Sequence, residues 1–203
     1  MRVTDEAMSP AAAGRRRQIV AATIEVLAES GYAHTSFAKI AKHAGLSSTR
    51  LISYHFSGKE ELMRAVALAA KDAATEFIEP RILAARGHRA QLAAYITANM
   101  EFMRERTAVL RALIELNSTA RAALGESFLA DVGSPVPPLE DALRAGRGAG
   151  AFGEFDPHVM AVAIRAAIDT IAIRYAEDPS GDVEHYAAQL VTLFDRATRP
   201  ESS

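Results

Sequence analysis

Apolar side chains recur every three or four positions along most of this chain, which is the spacing of an amphipathic α-helix. The first such stretch predicts a helix from Arg15 to Ser30, followed by Gly31 as its C-terminal cap. Strict alternation of apolar and polar residues, the signal of a half-buried strand, does not extend over a useful length. The pattern therefore predicts an all-α protein.

Two short helices are predicted directly after the first one. Thr35 or Ser36 is expected to cap a helix over 37–43, because a side-chain oxygen there can accept a free backbone N–H. The segment 44–46 then interrupts the pattern, and Ser47 is expected to cap a third helix that reaches about residue 54.

Longer helices follow, separated by breaks rich in proline and glycine. One starts near Lys59 and runs towards Phe77, and Pro80 is expected to end or bend it. Asp156 and Pro157 form an N-cap and first-turn pair for another helix. The remaining helices are predicted over residues 89–104, 108–117, 121–131, 138–143, 157–175 and 183–197.

The stretch from His34 to Leu62 has the features of a helix-turn-helix. That motif needs a small residue where its helices touch, a glycine in the turn and apolar inner faces. Ala41 supplies the small contact, and Gly45 can adopt a positive φ. The positions predicted to face inward are Ile40, Ala44, Leu46, Leu51 and Tyr54. The outward face of the third helix would carry Ser48, Thr49, Arg50 and Ser53.

Over Arg17–Ala67 the sequence resembles the TetR family of bacterial repressors. The segments that carry the resemblance are IVAATIEVLAESGYAHTS, IAKHAGLS, YHF and KEEL. The resemblance implies that Phe56 is core and that Lys59 binds phosphate at the start of the fourth helix. It also implies phosphate or backbone contacts for Thr35, Ser36, Tyr54 and His55. The alternative interpretation is a buried helical hairpin whose turn residues serve only the fold.

One departure affects the DNA-reading surface. Between Gly45 and Phe56 the chain has one residue more than the family's commonest spacing, so the recognition helix is expected to be longer or locally bulged. The full set of candidate DNA-binding residues is Thr35, Ser36, Ser47, Ser48, Thr49, Arg50, Ser53, Tyr54, His55 and Lys59.

Charge is distributed unevenly along the chain. The net charge is −2, yet residues 1–60 hold 8 Lys and Arg against 5 Asp and Glu, and the remainder holds 15 against 20. A basic end on an acidic body is expected where only that end meets phosphate. The run Arg15–Arg17 is either a solvated helix start or a further contact to DNA.

Several functional classes are disfavoured. The chain has no cysteine, which excludes disulfides and thiolate chemistry and fits a cytoplasmic protein. No apolar run is long enough for a membrane helix, and the N-terminus lacks the apolar core of a signal peptide. The six histidines are scattered, and no catalytic set or phosphate-binding loop appears. We therefore expect no metal, no cofactor and no enzymatic activity.

The expected organisation is a flexible arm over 1–14, the helix-turn-helix domain over 15–58, and an effector-binding and dimerisation domain over 59–203. Tentative effector-pocket residues are Tyr95, Asn99, Phe102, Met103 and Glu115, although such a stripe is more often plain core. Tentative dimer-interface residues are Ile164, Ile168, Ile171, Tyr175, Tyr186, Leu190 and Phe194, although a monomer core would show the same stripes. Arg165 and Asp169 are expected to pair with each other or across a two-fold axis.

The resemblance to the TetR family implies a homodimeric repressor that binds a palindromic DNA operator and is released by an unidentified small molecule. The long helix starting near Lys59 would be the lever between the effector pocket and the DNA-reading end. Two alternatives remain open: a helical enzyme acting on a small apolar substrate, and an architectural DNA-binding protein without a ligand.

Overall fold

The computed structural model describes residues 9–125 and 133–200, and within these ranges it contains helices and turns but no strand. The all-α prediction is confirmed. The helices are α1 (Pro10–Ser30), α2 (Phe37–His43), α3 (Arg50–His55), α4 (Lys59–Ala84), α5 (His88–Glu105), α6 (Thr107–Glu115), α7 (Arg121–Leu124), α8 (Val136–Gly148), α9 (Pro157–Glu177) and α10 (Val183–Ala197). A π-helical turn, Leu116–Ala120, joins α6 to α7.

The start of α1 differs from the prediction. Ser9 caps the helix by accepting the N–H of Ala12 at 3.3 Å, and Pro10 occupies the first turn, where its missing N–H does no harm. Residues 10–14 of the predicted arm are therefore helical, and residues 1–8 of it lie outside the described part of the chain.

Pro80 does not end α4, which continues to Ala84. The Arg81 guanidinium donates to the Phe77 carbonyl at 2.6 Å and lies 3.6 Å from the centre of the Phe77 ring. This side chain thus supplies a donor to the helix next to the position where proline lacks one.

Other helix ends also shift. The helix α8 covers 136–148 rather than 138–143, and α6 gives way to the π-turn after residue 115. The helix predicted over 121–131 is described only as far as residue 124, and residues 126–132 lie outside the described ranges.

The described residues form two compact units. The described residues of the first unit lie within Met1–Lys71 and Arg111–Val132. Those of the second unit lie within Asp72–Leu110 and Gly133–Ser203. The first unit thus contains the start of α4 and the end of α6 besides the predicted domain over 15–58. Its core includes the buried side chains of Ile19, Leu27, Ile40, Ile52, Phe56, Leu62, Met63 and Leu116.

In the second unit, α5 packs against α9 and α10, and α8 packs against α9. Its most deeply buried large side chains include Ile96, Met100, Met103, Ile164 and Ile168. Within the described ranges, no helix combines the length and the apolar character that crossing a membrane requires. The same residues include no group of three or more His, Asp or Glu placed to hold a metal ion.

Candidate functional site

The turn between α2 and α3 has the predicted helix-turn-helix geometry. Gly45 adopts a φ of 63°, a left-handed conformation that side chains rarely tolerate. The N–H of Leu46 donates to the carbonyl of Ala41 at 2.8 Å, which closes the turn. Ala41 and Ile40 are buried in the core of the first unit, and Ala44 and Leu46 pack against it. This part of the prediction is confirmed.

The inner face of α3 is not the predicted one. Ile52 and Phe56 are buried, whereas Tyr54 is 82% exposed and Leu51 is half-buried. Positions four apart share a helix face, so burying Phe56 also buries Ile52 and turns Tyr54 outward. The inward placement of Tyr54 was wrong, while the core placement of Phe56 is confirmed.

All six residues of α3 are α-helical, so the expected local bulge is absent from this helix. It has six residues, begins at Arg50 and closes with the N–H of Phe56 on the carbonyl of Ile52 at 2.9 Å. Ser47, Ser48 and Thr49 lie in the turn before it and are exposed. Ser48 rather than Ser47 bonds at the helix start, accepting the N–H of Arg50 at 3.1 Å.

A compact polar surface results at this end of the first unit. Arg50, Ser53 and Tyr54 are exposed on α3, and the His55 ring packs edge-on against Tyr54 at 5.1 Å between centroids. Ser36 is exposed at the start of α2, where its hydroxyl accepts the N–H of Lys39 at 3.3 Å. We call Arg50, Ser53, Tyr54 and Ser36 the reading surface.

The side chains of two candidate DNA-binding residues form hydrogen bonds within the chain. Thr35 is only 3% exposed, and its hydroxyl donates to the Gly31 carbonyl at 2.7 Å, so its side chain is not available to phosphate. The Lys59 ammonium donates to the Tyr32 carbonyl at 3.0 Å and lies 4.0 Å from the centre of the Tyr32 ring. Burial lowers the pKa of Lys59.

Sequence reasoning missed the contact that holds α3 against its neighbours. Arg16 on α1 donates to the His55 carbonyl and to the Glu61 carboxylate, the latter at 2.9 Å, and its guanidinium lies 4.0 Å from the centre of the Phe56 ring. Glu61 also accepts the N–H and the hydroxyl of Ser57, each at 2.8 Å. We call this set the Arg16 clasp.

The electrostatics of the Arg16 clasp favour an ionised Glu61. The N–H of Ser57 holds the pKa of Glu61 below its usual value, and the hydroxyl of Ser57 and Arg16 lower the pKa further against the opposing effect of burial. Glu61 stands four residues after Ser57, one more than the Ser-x-x-Glu capping spacing, so that motif did not signal the pair. Arg16 offered no signal, because its partners are 39 and 45 residues away.

Two of the predicted effector residues meet inside the second unit. The Arg165 guanidinium donates to the Tyr95 hydroxyl and to Asn99 Oδ1, both at 3.1 Å, and to Asp169 Oδ1 at 3.0 Å. Asn99 in turn donates to the Tyr95 carbonyl at 2.8 Å. The side chain of Arg165 is only 15% exposed. We call these four residues the Arg165 network.

Within the Arg165 network, burial alone would lower the pKa of Arg165, but the hydrogen bonds and charge interactions with Asp169 and Tyr95 together outweigh burial and raise it. The guanidinium is therefore firmly charged. The expected pairing of Arg165 with Asp169 is present within one chain.

The other three effector candidates lie elsewhere. Phe102 and Met103 are buried core residues of the second unit. Glu115 belongs to the first unit, where it accepts the N–H of Tyr32 at 2.8 Å. Two cavities of about 60 and 310 Å³ lie in the second unit, and no candidate effector residue lines either of them.

The predicted dimer stripes are largely the chain's own core. Five of the seven residues are buried within the second unit: Ile164, Ile168, Ile171, Tyr175 and Phe194. Tyr186 is exposed and Leu190 is half-buried. The large apolar residues that α9 and α10 expose are Val159, Val162, Ile173, Tyr186 and Leu193.

Known proteins resemble the N-terminal part of the chain in sequence. Residues 19–66 match the family model of bacterial regulatory proteins of the TetR family. A 49-residue segment is 45% identical to the HTH-type transcriptional regulator BetI 1 of Chromohalobacter salexigens, and this segment covers 24% of each protein. The sequence likeness is thus confined to about a quarter of either chain and includes the helix-turn-helix.

The fold likeness extends over nearly the whole chain. A bacterial regulatory protein in the TetR family from Rhodococcus RHA1 superimposes with a TM-score of 0.72 at 23% identity, covering 93% of this chain and 98% of that one. The transcriptional regulator FadR from Bacillus subtilis, in complex with stearoyl-CoA, gives a TM-score of 0.74 at 22% identity, covering 88% and 96%. At these identities the likeness concerns the fold.

Proposed function

We propose that this chain, whose residues 19–66 match the family model of TetR-type bacterial regulatory proteins, is a homodimeric repressor of that family. In this proposal it binds a palindromic operator and a small-molecule effector releases it. DNA binding resides in residues 15–58, and effector binding and dimerisation reside in residues 59–203. Such a regulator works where the bacterial chromosome lies, in the cytoplasm.

The observation that carries the DNA-binding proposal is the reading surface. A short helix whose inner residues are locked into a core presents Arg50, Ser53 and Tyr54 outward, and the major groove admits a helix of this size. Arg50 and Ser53 can bond base edges or phosphate, and Tyr54 and Ser36 are suited to the backbone. Thr35 drops out of this set because its side chain is buried.

Selection from a random-sequence duplex library tests this function. The wild-type chain is expected to enrich duplexes with two inverted half-sites about 34–36 Å apart, or a multiple of that spacing. Its affinity for them is expected to fall steeply as salt rises, because phosphate contacts release counterions. Failure to enrich any duplex, at low and at physiological salt, refutes the proposal.

The dimer proposal rests on the outer face of α9. Val159, Val162 and Ile173 are exposed and, at about 100° per residue, lie within an arc of about 60° on the side opposite the buried stripe. Tyr186 and Leu193, seven residues apart on α10, are exposed as well. Exposed apolar faces of this kind are typical of interfaces.

Sedimentation equilibrium tests the dimer. Ile173→Glu and Leu193→Glu are expected to shift the chain from dimer to monomer, because each would bury an unpaired charge. Leu83→Glu is the matched control, since Leu83 is 70% exposed on α4 and lies outside this surface. A monomeric wild type, or a dimer that tolerates both α9 and α10 variants, contradicts the proposal.

The effector proposal rests on the Arg165 network, a polar cluster between α5 and α9 in which Asn99 is buried and the side chain of Arg165 is 15% exposed. Buried polar groups of this kind can fix the orientation of a ligand. Because FadR from Bacillus subtilis shares this fold and binds stearoyl-CoA, an acyl-CoA is the first effector class to test. A ligand of that size needs α5 and α9 to rearrange, since ligand sites occupy about 300–1,000 Å³.

Thermal melting and DNA competition test the effector. Stearoyl-CoA is expected to raise the melting temperature, because it binds the folded chain. It is also expected to weaken DNA binding, by the same factor by which DNA weakens the binding of stearoyl-CoA. Free CoA and stearate are the controls for its two halves. If stearoyl-CoA changes neither melting nor DNA affinity, this effector class is excluded.

A further inference from the structure

Tyr32, just after the end of α1, is held from both sides by residues distant in sequence. Its N–H donates to Glu115 Oε2 on α6 at 2.8 Å. Its carbonyl accepts from Lys59 Nζ on α4 at 3.0 Å, and its ring lies 4.0 Å from the same nitrogen. A carboxylate and an ammonium therefore fix one residue.

Glu115 lies at the point where α6 passes into the π-helical turn Leu116–Ala120. Its carboxylate also lies beside Gly31, where an added Cβ would be in van der Waals contact with Oε2 at 3.4 Å, and Gly31 has a φ of 71°. The Glu115 carboxylate is therefore directed at the turn that follows α1.

The same turn leads to the reading surface. The Tyr32 carbonyl also accepts the N–H of Thr35 at 3.2 Å, and the Thr35 hydroxyl donates to Gly31 at 2.7 Å. Ser36 follows at once and caps α2. The geometry of residues 31–35 therefore sets where the start of α2 lies.

Lys59 retains donors for DNA. An ammonium has three N–H groups, and the Tyr32 carbonyl takes one of them. We propose that Glu115 is a positioning residue for DNA binding: by holding Tyr32 it places the Lys59 ammonium and the start of α2 for phosphate, without touching DNA itself. This inference rests on the proposed DNA-binding function.

The proposal predicts the opposite sign from simple charge repulsion. Removing a carboxylate near DNA should strengthen binding if only net charge matters. If Glu115 positions Lys59, Glu115→Ala should instead raise the Kd for a library-selected duplex, by roughly tenfold, and lower the slope of log K against log[salt] by about one. Glu25→Ala, an exposed carboxylate on α1, is the matched control and should leave the Kd equal or lower.

A double-mutant cycle with Lys59→Ala completes the experiment. The two substitutions should be strongly non-additive in Kd, because each removes the same phosphate contact. If Glu115→Ala does not fold by circular dichroism, Glu115→Gln decides, since its amide oxygen is a weaker acceptor and should give a smaller loss of affinity. The proposal is overturned if the folded Glu115 variant binds as tightly as the Glu25 control, or if the cycle is additive. A wild type that binds no duplex refutes the proposed function instead.

Discussion

Replacing Arg16 with alanine removes the Arg16 clasp and should destabilise the first unit. A hydrogen bond from a charged donor, here to the His55 carbonyl, contributes about 1.5–3 kcal/mol. The side chains of Arg16 and Glu61 are 28% and 37% exposed, so their ion pair is screened and contributes about 0–1 kcal/mol. The stacking over Phe56 adds about 0.5 kcal/mol. We expect a total loss of about 2–4.5 kcal/mol.

Urea unfolding followed by circular dichroism measures this loss, and thermal melting should show a decrease of about 4–18 °C for a chain of this size. Arg17→Ala is the matched control, because Arg17 is the exposed neighbour and carries the same charge. If Arg16→Ala and Arg17→Ala unfold at the same urea concentration, the clasp does not stabilise the fold and the reasoning fails.

Three further outcomes are expected. Gly45→Ala should destabilise the chain by about 1–2 kcal/mol in urea unfolding, because the φ of 63° is strained for any side chain. Gly146→Ala should also destabilise it, by about 1–3 kcal/mol, since a methyl group there overlaps the Phe152 ring, whereas Gly148→Ala, with open space, should not. The pKa of Glu61 lies below its usual value of 4.5, so the stability that its ionised form adds is present above pH 4.5 and is lost as the pH falls through the lowered pKa. Glu61→Gln should therefore reduce the loss of unfolding free energy that the wild type shows as the pH falls below 4.5. A loss as large as that of the wild type would contradict the stabilising role of ionised Glu61.

Local signals predicted the elements well where a cap marks the boundary. The bounds of α2 and α10 match the predicted 37–43 and 183–197, and in both helices the residue before the first turn, Ser36 or Asp182, accepts a backbone N–H. The start of α1 was missed although Ser9 and Pro10 form such a pair, because the surrounding segment lacks apolar periodicity.

The phase of a short helix was harder to predict. In α3 only one and a half turns are available, so both Leu51 with Tyr54 and Ile52 with Phe56 fit an apolar face. The bulk of Phe56, which is 1% exposed, decides the register. Periodicity also could not distinguish the chain's own core from a partner's surface on α9 and α10, because both produce the same repeat.

Contacts between distant residues left no trace in the sequence. Arg16 and Glu61 are 45 residues apart, and Glu115 and Tyr32 are 83 residues apart. A single sequence gives no pairing information at such separations. Glu115 was placed among the effector residues because a polar group on an apolar face needs a partner or a ligand. In the structure its partner is the N–H of Tyr32, just after the end of α1.

The most direct test of DNA reading by α3 is the affinity of α3 variants for a library-selected duplex, measured by fluorescence anisotropy across a range of salt concentrations. Arg50→Ala and Tyr54→Ala remove exposed side chains, so melting should be unchanged while the Kd rises by at least about tenfold and the salt slope decreases for Arg50→Ala. Lys71→Ala, an exposed α4 residue, should leave the Kd nearly unchanged. Wild-type affinity and wild-type salt dependence in both α3 variants would contradict the account.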